Sequence, residues 1–158
     1  MNQPCLPKEL VSSTVFLLGK LGYTIKTEAM EEFERAGFNG YDFSVLALLD
    51  ESARETQATI ADTLGVDRSQ LVGLLDGLEE RALIERRRDP NDRRRQMVSL
   101  TAEGRRELAR LRKTVRRLED DFLAPLDADE RAALHDLLLQ VASHRDQRYV
   151  IPTGVTVA

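Results

Sequence analysis

Apolar side chains recur at helical spacing near the start of the chain. Within residues 10–25 they stand three or four positions apart, which predicts one long first helix beginning at Pro7 and ending before Gly37. Asp42 is a suitable N-cap for a second helix, short and well buried, that extends to about Asp50. The pattern therefore predicts a long amphipathic helix followed by a short core helix.

Two further short helices follow, joined by a tight turn. Thr56 can cap the third helix, and Gly65 suits the left-handed residue that ends a helix. Only Val66 separates Gly65 from Asp67, a good N-cap for the fourth helix. The inward positions of that helix are Leu71, Leu74, Leu75 and Leu78. Two short helices joined by a glycine turn form a helix-turn-helix, a motif that also occurs by chance in many all-helical proteins.

The pattern then changes to extended segments. Residues 83–88 and 95–100 can each form a strand, and the turn-forming residues 89–92 lie between them. Within residues 86–95 there are six arginines and two aspartates, a local charge of +4. The sequence therefore predicts a basic β-hairpin directly after the helix-turn-helix, which favours nucleic-acid binding more than either element does alone.

Two long helices complete the predicted framework. The first begins at Thr101 and ends before Pro125, and the second is opened by Asp127 and Glu130, which have capping-box spacing. A heptad seam runs along the first of them: Leu108, Leu111, Val115, Leu118 and Phe122. Such a seam is typical of helices that pack lengthwise, and it can be shared between two chains.

Composition narrows the class of protein. The 158 residues are 42% hydrophobic and 32% charged, which is typical of one soluble globular domain or two small lobes. No apolar run approaches the roughly 20 residues of a membrane helix, so we expect a cytoplasmic protein. Cys5 is the single cysteine and there are two histidines, so an internal disulfide is excluded and we expect no metal or other cofactor. No nucleophile with a base and no phosphate-binding glycine loop is present, so we expect no enzyme activity.

Charge is distributed unevenly along the chain. Residues 81–117 contain 14 Lys and Arg against 5 Asp and Glu, a net charge of +9 in 37 residues. The remaining residues carry 9 basic and 22 acidic side chains, a net charge of −13. A basic segment in an acidic protein fits a chain that binds a polyanion with one surface, although a solvated charged helix gives the same count.

The hairpin resembles the wing of the MarR family of bacterial winged helix-turn-helix regulators. The string Asp89-Pro90-Asn91-Asp92-Arg93-Arg94, followed by Val98, Leu100-Thr101 and Gly104, matches the wing signature of that family. Residues 60–69 are similar to the helix-turn-helix of the family, and the order of the six predicted helices agrees across almost the whole chain. The resemblance implies a mainly α fold with a small β-hairpin wing.

The resemblance also implies an intertwined homodimer. Residues 1–36 and 105–148 would form the dimerisation helices, residues 40–104 the winged DNA-binding lobe, and residues 149–158 a C-terminal tail without an assigned role. The predicted dimerisation positions are Leu10, Leu17, Leu111, Leu118, Leu134 and Leu138. Two lobes related by a two-fold axis bind a palindrome of double-stranded DNA whose halves lie roughly 34 Å apart.

The fourth helix would lie in the major groove. Its predicted DNA-facing residues are Arg68, Ser69, Gln70, Val72 and Gly73. The hydroxyl and amide groups can hydrogen-bond to base edges or phosphates, the arginine suits phosphate or guanine, and Val72 can contact a thymine methyl group. Members of the family often carry basic residues near the positions of Gly73 and Gly77, so this chain departs from them there.

The wing would enter the minor groove through Arg94, whose guanidinium the resemblance pairs with Asp92. A narrow A/T-rich groove concentrates negative potential, which attracts an oriented arginine. Arg93 and Arg95 would then point toward backbone phosphates, as would Arg86 or Arg88 on the other strand. An Asp-x-Arg pair outside this context is usually a surface ion pair of little energetic worth.

The family resemblance implies release of DNA by a small ligand, often an aromatic or phenolic compound. Tyr23, Phe38 and Phe43 are candidates for an effector pocket, although ordinary core packing is the favoured explanation of all three. The leading hypothesis is a ligand-responsive repressor. The alternative is a helical dimer that binds nucleic acid without sequence preference and without effector control.

Overall fold

The computed structural model describes residues 5–92 and 94–149, which form seven helices and three short strands. The helices are α1 (Lys8–Val11), α2 (Thr14–Arg35), α3 (Gly40–Ser52), α4 (Gln57–Leu64), α5 (Arg68–Glu80), α6 (Ala102–Phe122) and α7 (Ala128–Arg145). The strands are β1 (Glu55–Thr56), β2 (Ile84–Arg88) and β3 (Gln96–Leu100). The predicted fold class, mainly α with a small β-hairpin wing, is confirmed.

The predicted single first helix is wrong, because the chain breaks at Ser12 and Ser13. The Ser13 side chain accepts a hydrogen bond from the backbone N–H of Phe16 (3.3 Å) and so caps a new helix, α2. The Ser12 hydroxyl donates to the carbonyl of Glu9 (3.1 Å) and closes the short α1. Serine competes for backbone hydrogen bonds in this way, which is why six predicted helices become seven.

The start of α3 also differs from the prediction. Asn39 is the N-cap, and its side chain accepts from the N–H of Asp42 (2.9 Å) while the Asp42 carboxylate accepts from the N–H of Asn39 (2.8 Å). Asp42 is therefore the third helical residue of a capping box rather than the cap itself. Burial raises the pKa of Asp42, and the hydrogen bond from Asn39 opposes that rise.

The wing is part of a three-stranded antiparallel sheet with the order β1-β3-β2. Ile84 pairs with Leu100 and Arg88 with Gln96, as a hairpin requires. The additional strand β1 pairs Glu55 with Val98, which places the start of α4 beside the wing. A two-residue strand has no periodicity to detect, so the sequence did not predict it.

One apolar core joins α3, α4, α5, the wing and the first half of α6. The side chains that are least exposed are Val45, Leu46, Leu49, Ile60, Leu71, Leu75, Leu78, Ile84, Val98, Leu108 and Leu111. Leu111 is only 2% exposed. It is therefore enclosed by its own chain, which corrects its predicted place on a dimerisation surface.

The chain divides into two compact units, Met1–Leu118 and Glu119–Ala158. In the second unit, Asp127 and Glu130 form the predicted capping box at the start of α7, and Arg131 pairs with Asp120 (2.8 Å). No helix among the described residues combines the length and the apolar character needed to cross a membrane.

Candidate nucleic-acid interface

The helix-turn-helix forms as its capping residues predict. Thr56 caps α4 by accepting from the N–H of Thr59 (3.1 Å), and Gly65 ends α4 with φ 65° and ψ 33°, a conformation that costs glycine little. Asp67 caps α5 by accepting from the N–H of Ser69 (2.7 Å). Leu71, Leu75 and Leu78 are buried, so the core fixes the orientation of α5.

The predicted DNA-facing side of α5 is exposed. Arg68, Ser69, Gln70, Val72 and Gly73 all lie at the surface, and Val72 presents 44% of its area to solvent. The Ser69 hydroxyl donates to the Asp67 carboxylate, and together with the N–H of Ser69 it lowers the pKa of Asp67. The Ser69 hydrogen is thus engaged, while its oxygen keeps lone pairs that can accept from a base or a backbone group.

The two glycines of α5, Gly73 and Gly77, leave part of the helix surface without side chains. A Cβ at Gly73 or Gly77 meets no atom of the chain within 4 Å. Packing within the chain therefore does not require glycine at these positions. Their effect is a surface without side chains, on which a partner can approach the helix backbone closely.

The turn of the wing is held by aspartates. The Asp89 carboxylate accepts from the N–H of Asn91 (2.8 Å), and the Asp92 carboxylate accepts from the N–H of Arg94 (3.1 Å). Asp92 also pairs with the guanidinium of Arg95 (3.4 Å). The predicted contact of Asp92 with the Arg94 guanidinium is thus replaced by a contact with the Arg94 backbone, and Arg93 lies outside the described residues.

Four arginines from α5 and the wing line one open cleft with a volume of about 760 Å³, which we call the arginine cleft. They are Arg68, Arg88, Arg94 and Arg95. Within the described part of the chain, only Arg95 has an acidic partner, the weak pair with Asp92. A concave surface with several unneutralised guanidinium groups attracts anions and suits a phosphate backbone.

The lining of the arginine cleft also includes Val72, which the sequence predicted to face DNA. Six further lining residues were not predicted as DNA contacts: Thr56, Gln57, Ala58, Thr59, Leu71 and Gln96. The Gln57 amide donates to the Gln96 side chain (3.3 Å), which links the first turn of α4 to the wing. The N-terminus of α4 adds partial positive charge from the helix dipole. The helix start was visible in the sequence, but its proximity to the wing depends on strand β1.

Arg86 differs from the other wing arginines. Its Nε donates to the Glu79 carboxylate (2.9 Å), its backbone N–H donates to the same group (3.1 Å), and its Nη2 donates to Asp76 (2.6 Å). The hydrogen bonds from Arg86 lower the pKa of Glu79, and those to Glu79 and Asp76 raise the pKa of Arg86. The structure therefore engages Arg86 with α5, whereas the sequence suggested a phosphate contact.

The three aromatic residues considered for an effector pocket lie in different surroundings. Phe38 is buried beneath the Arg81 guanidinium, which lies 3.8 Å from the ring centroid. Phe43 stacks on Phe33 with ring centroids 5.6 Å apart, and Tyr23 is 73% exposed. Core packing accounts for Phe38 and Phe43.

A separate apolar cavity of about 500 Å³ lies between α2 and α3. Its lining is Lys26, Ala29, Met30, Phe33, Glu34, Asn39, Gly40, Tyr41 and Ser44. It is mainly apolar with a lysine and a glutamate in its wall, so an aromatic or acyl group that carries a charge suits it. No cluster of three potential metal-ligating side chains occurs in residues 5–92 and 94–149.

The predicted dimerisation residues differ in exposure. Leu10, Leu17 and Leu138 are 38%, 41% and 43% exposed. Leu118 and Leu134 are partly buried. Five of the six positions therefore remain at least partly accessible to a second chain, and the sixth, Leu111, does not.

A helix-turn-helix followed by a basic wing, with both elements facing one arginine cleft, defines a winged helix-turn-helix protein. Residues 36–95 match the family model described as the MarR family. The chain is 32% identical over 130 residues to the protein assigned as the transcriptional regulatory protein for the hcr operon of Thauera aromatica, covering 77% of this chain and 78% of that one. This chain belongs to the MarR family of transcriptional regulators.

Two solved structures support the assignment. The transcriptional repressor CouR bound to a 23-mer DNA duplex is 35% identical, with a TM-score of 0.76 over 89% of this chain and 99% of that chain. CouR from Rhodococcus jostii RHA1 bound to p-coumaroyl-CoA is 30% identical, with a TM-score of 0.70 over 95% of this chain and all (100%) of that chain. These relatives are regulators of transcription rather than enzymes.

Proposed function

We propose that this protein is a cytoplasmic homodimeric repressor that binds a palindromic operator in double-stranded DNA. The arginine cleft is the observation that carries the proposal. Helix α5 contributes Arg68 and Val72 to the lining of the cleft, and the wing contributes Arg94. A DNA duplex bound at the cleft would take α5 into its major groove and Arg94 into the adjacent minor groove.

The division of labour within the interface follows from the contacts. Arg88 and Arg95 of the wing line the same cleft, where they would neutralise backbone phosphates and hold the register. Side chains on the exposed face of α5 would select the bases. Binding through several phosphates predicts a steep loss of affinity with salt, because each neutralised phosphate releases counterions.

Effector control is the second part of the proposal. We assign the effector site to the cavity between α2 and α3, in place of the three aromatic residues that the sequence suggested. The ligand named for CouR combines an aromatic acyl group with an anionic carrier, and the cavity offers the apolar wall of Met30, Phe33 and Tyr41 beside Lys26. A ligand there would favour a lobe arrangement that does not match two successive major grooves. Displacement of bound DNA by aromatic carboxylates and aromatic acyl thioesters, measured by fluorescence anisotropy, tests this part.

Selection from a random-sequence duplex pool tests the central claim. We expect the protein to enrich a palindrome with half-sites about one helical turn apart. Enrichment of no common sequence would instead favour the alternative, a dimer that binds any nucleic acid through its charge.

Arg94→Ala should then weaken binding to the selected duplex about 5- to 30-fold, because it removes the predicted minor-groove contact. Arg116→Ala is the matched control, since Arg116 is exposed on α6, lies outside the cleft and carries the same charge. Equal effects of the two substitutions would show that only net charge matters.

A further inference from the structure

We propose that Arg86 is a positioning residue that fixes the recognition helix α5 relative to the wing. Through this role it would determine how well the protein distinguishes its operator from other DNA, without touching DNA itself. The inference rests on the proposed function. It assigns a role to the charged cluster of Asp76, Glu79 and Arg86, which takes no part in the proposed groove contacts.

The contacts place this cluster where the wing leaves the core. Along β2, Ile84 is buried, Arg86 is partly buried, and Arg87 and Arg88 are exposed. The Arg86 side chain is 17% exposed, whereas that of Arg87 is 76% exposed. Beyond Arg86 the wing projects toward the cleft, so this residue is the outermost ion-paired link to α5 among the described residues.

The geometry of the cluster restricts rotation as well as distance. Glu79 accepts from the backbone N–H, Nε and Nη2 of Arg86, and Asp76 accepts from Nη2 one helical turn earlier. A planar guanidinium held on two sides, with its own backbone bound to the same carboxylate, cannot swivel without breaking several charge-assisted hydrogen bonds. The wing strand and α5 are thereby held at one mutual orientation.

Specific binding requires that orientation more than non-specific binding does. Two elements that enter adjacent grooves must match the spacing of those grooves together, whereas phosphate attraction depends mainly on charge. A loosened wing would therefore reduce affinity for the operator and leave affinity for other sequences almost unchanged.

A direct phosphate contact by Arg86 predicts the opposite response to one substitution. If Arg86 bound DNA, removing Glu79 would free the guanidinium and delete a negative charge, and binding would tighten. If Arg86 positions the wing, removing Glu79 would weaken operator binding in spite of that gain in charge. The sign of the effect separates the two roles.

The experiment compares Glu79→Ala with Glu80→Ala on the duplex that the unaltered protein selects from a random pool and on a scrambled duplex of equal length. Glu80 is the matched control, because it lies next to Glu79 on α5, is exposed and makes no ion pair within the described chain. We expect Glu80→Ala to bind both duplexes at least as tightly as the unaltered protein. We expect Glu79→Ala to bind the selected duplex about 5- to 30-fold more weakly, the factor that follows from losing 1 to 2 kcal/mol, with little change on the scrambled duplex. Equal binding by the two variants, or tighter binding by Glu79→Ala, would overturn the proposal.

Arg86→Lys provides a second measurement that does not depend on how Glu79→Ala folds. Lysine keeps the charge that a phosphate contact needs but lacks the fork that engages Glu79 and Asp76 together. We expect the same selective loss on the selected duplex, and retained affinity would contradict the positioning role. If the unaltered protein selects no duplex, the proposed function fails and this inference fails with it; if a duplex is selected and the variants match their control, only the inference fails.

Discussion

The winged lobe and the helices at the two ends of the chain bury their apolar side chains very differently. Every buried residue in the described chain lies between Phe33 and Leu111. Helices α1 and α7 bury no residue, and α2 buries only Phe33. By contrast, Val15 is 80% exposed, Leu137 61% and Val141 58%.

This difference indicates that the lobe and the terminal helices are stabilised by different means. The lobe has a continuous apolar core within its own chain. The terminal helices carry repeated exposed apolar side chains, and exposed apolar surface of this extent is typical of surfaces through which proteins associate.

The most disruptive test of this comparison is Gly104→Ala in the lobe. A Cβ at Gly104 would lie 2.0 Å from the Leu83 carbonyl oxygen and 2.7 Å from a Leu100 methyl group, so the start of α6 must move away from the wing. We expect the free energy of unfolding to fall by about 3 kcal/mol, measured by urea denaturation. Gly73→Ala is the control, because its Cβ meets nothing and alanine favours the helix by up to about 1 kcal/mol. A small effect at Gly104 would show that the lobe core is less rigid than the contacts indicate.

The second test acts on the terminal helices. Leu137→Glu combined with Val141→Glu places two charges on the apolar face of α7, which should abolish the dimer while the lobe retains its unfolding transition. Sedimentation measures the oligomeric state, and binding of the selected duplex should fall with it. Ala132→Glu combined with Gln140→Glu adds the same charge at other exposed positions of α7 and should leave the dimer intact. If the protein with Leu137→Glu and Val141→Glu remains a dimer, the apolar face of α7 does not form the dimer interface.

The smallest expected effect comes from Ala82→Gly between α5 and the wing. Ala82 has φ 56°, a left-handed conformation that costs a side chain roughly 1 kcal/mol and glycine almost nothing. We therefore expect a gain in stability of about 1 kcal/mol by urea denaturation. Ala109→Gly in the exposed middle of α6 should have the opposite sign, about 1 kcal/mol of loss. A loss of stability in Ala82→Gly as well as in Ala109→Gly would mean that the backbone at Ala82 is not strained.

The parts of the fold that depend on local signals could be predicted from the sequence. Asp67, Gly65 and the leucines of α5 lie where capping and helical periodicity placed them. The break at Ser12 was missed because serine is compatible with both a helix interior and a cap. Strand β1 was missed because its pairing partner, β3, lies about forty residues away.

The site illustrates a second limit of sequence analysis. Arg86 and Arg88 belong to the same strand and, by the alternation of a strand, to the same face as buried Ile84. The sequence suggested a phosphate contact for either arginine, and only the position of Glu79 on α5 decides that Arg86 is held at the helix instead. Leu111 is a similar case, because a heptad seam cannot say whether its partner is the same chain or another.

The order of the strands has a consequence for synthesis on the ribosome. Because β3 lies between β1 and β2, the surface that holds Gln57 beside Gln96 cannot assemble until the chain has been translated beyond residue 100. The helix-turn-helix, built from neighbouring segments, is complete much earlier. A nascent chain thus acquires its base-contacting helix first and the complete phosphate-contacting surface only when its central strand has emerged.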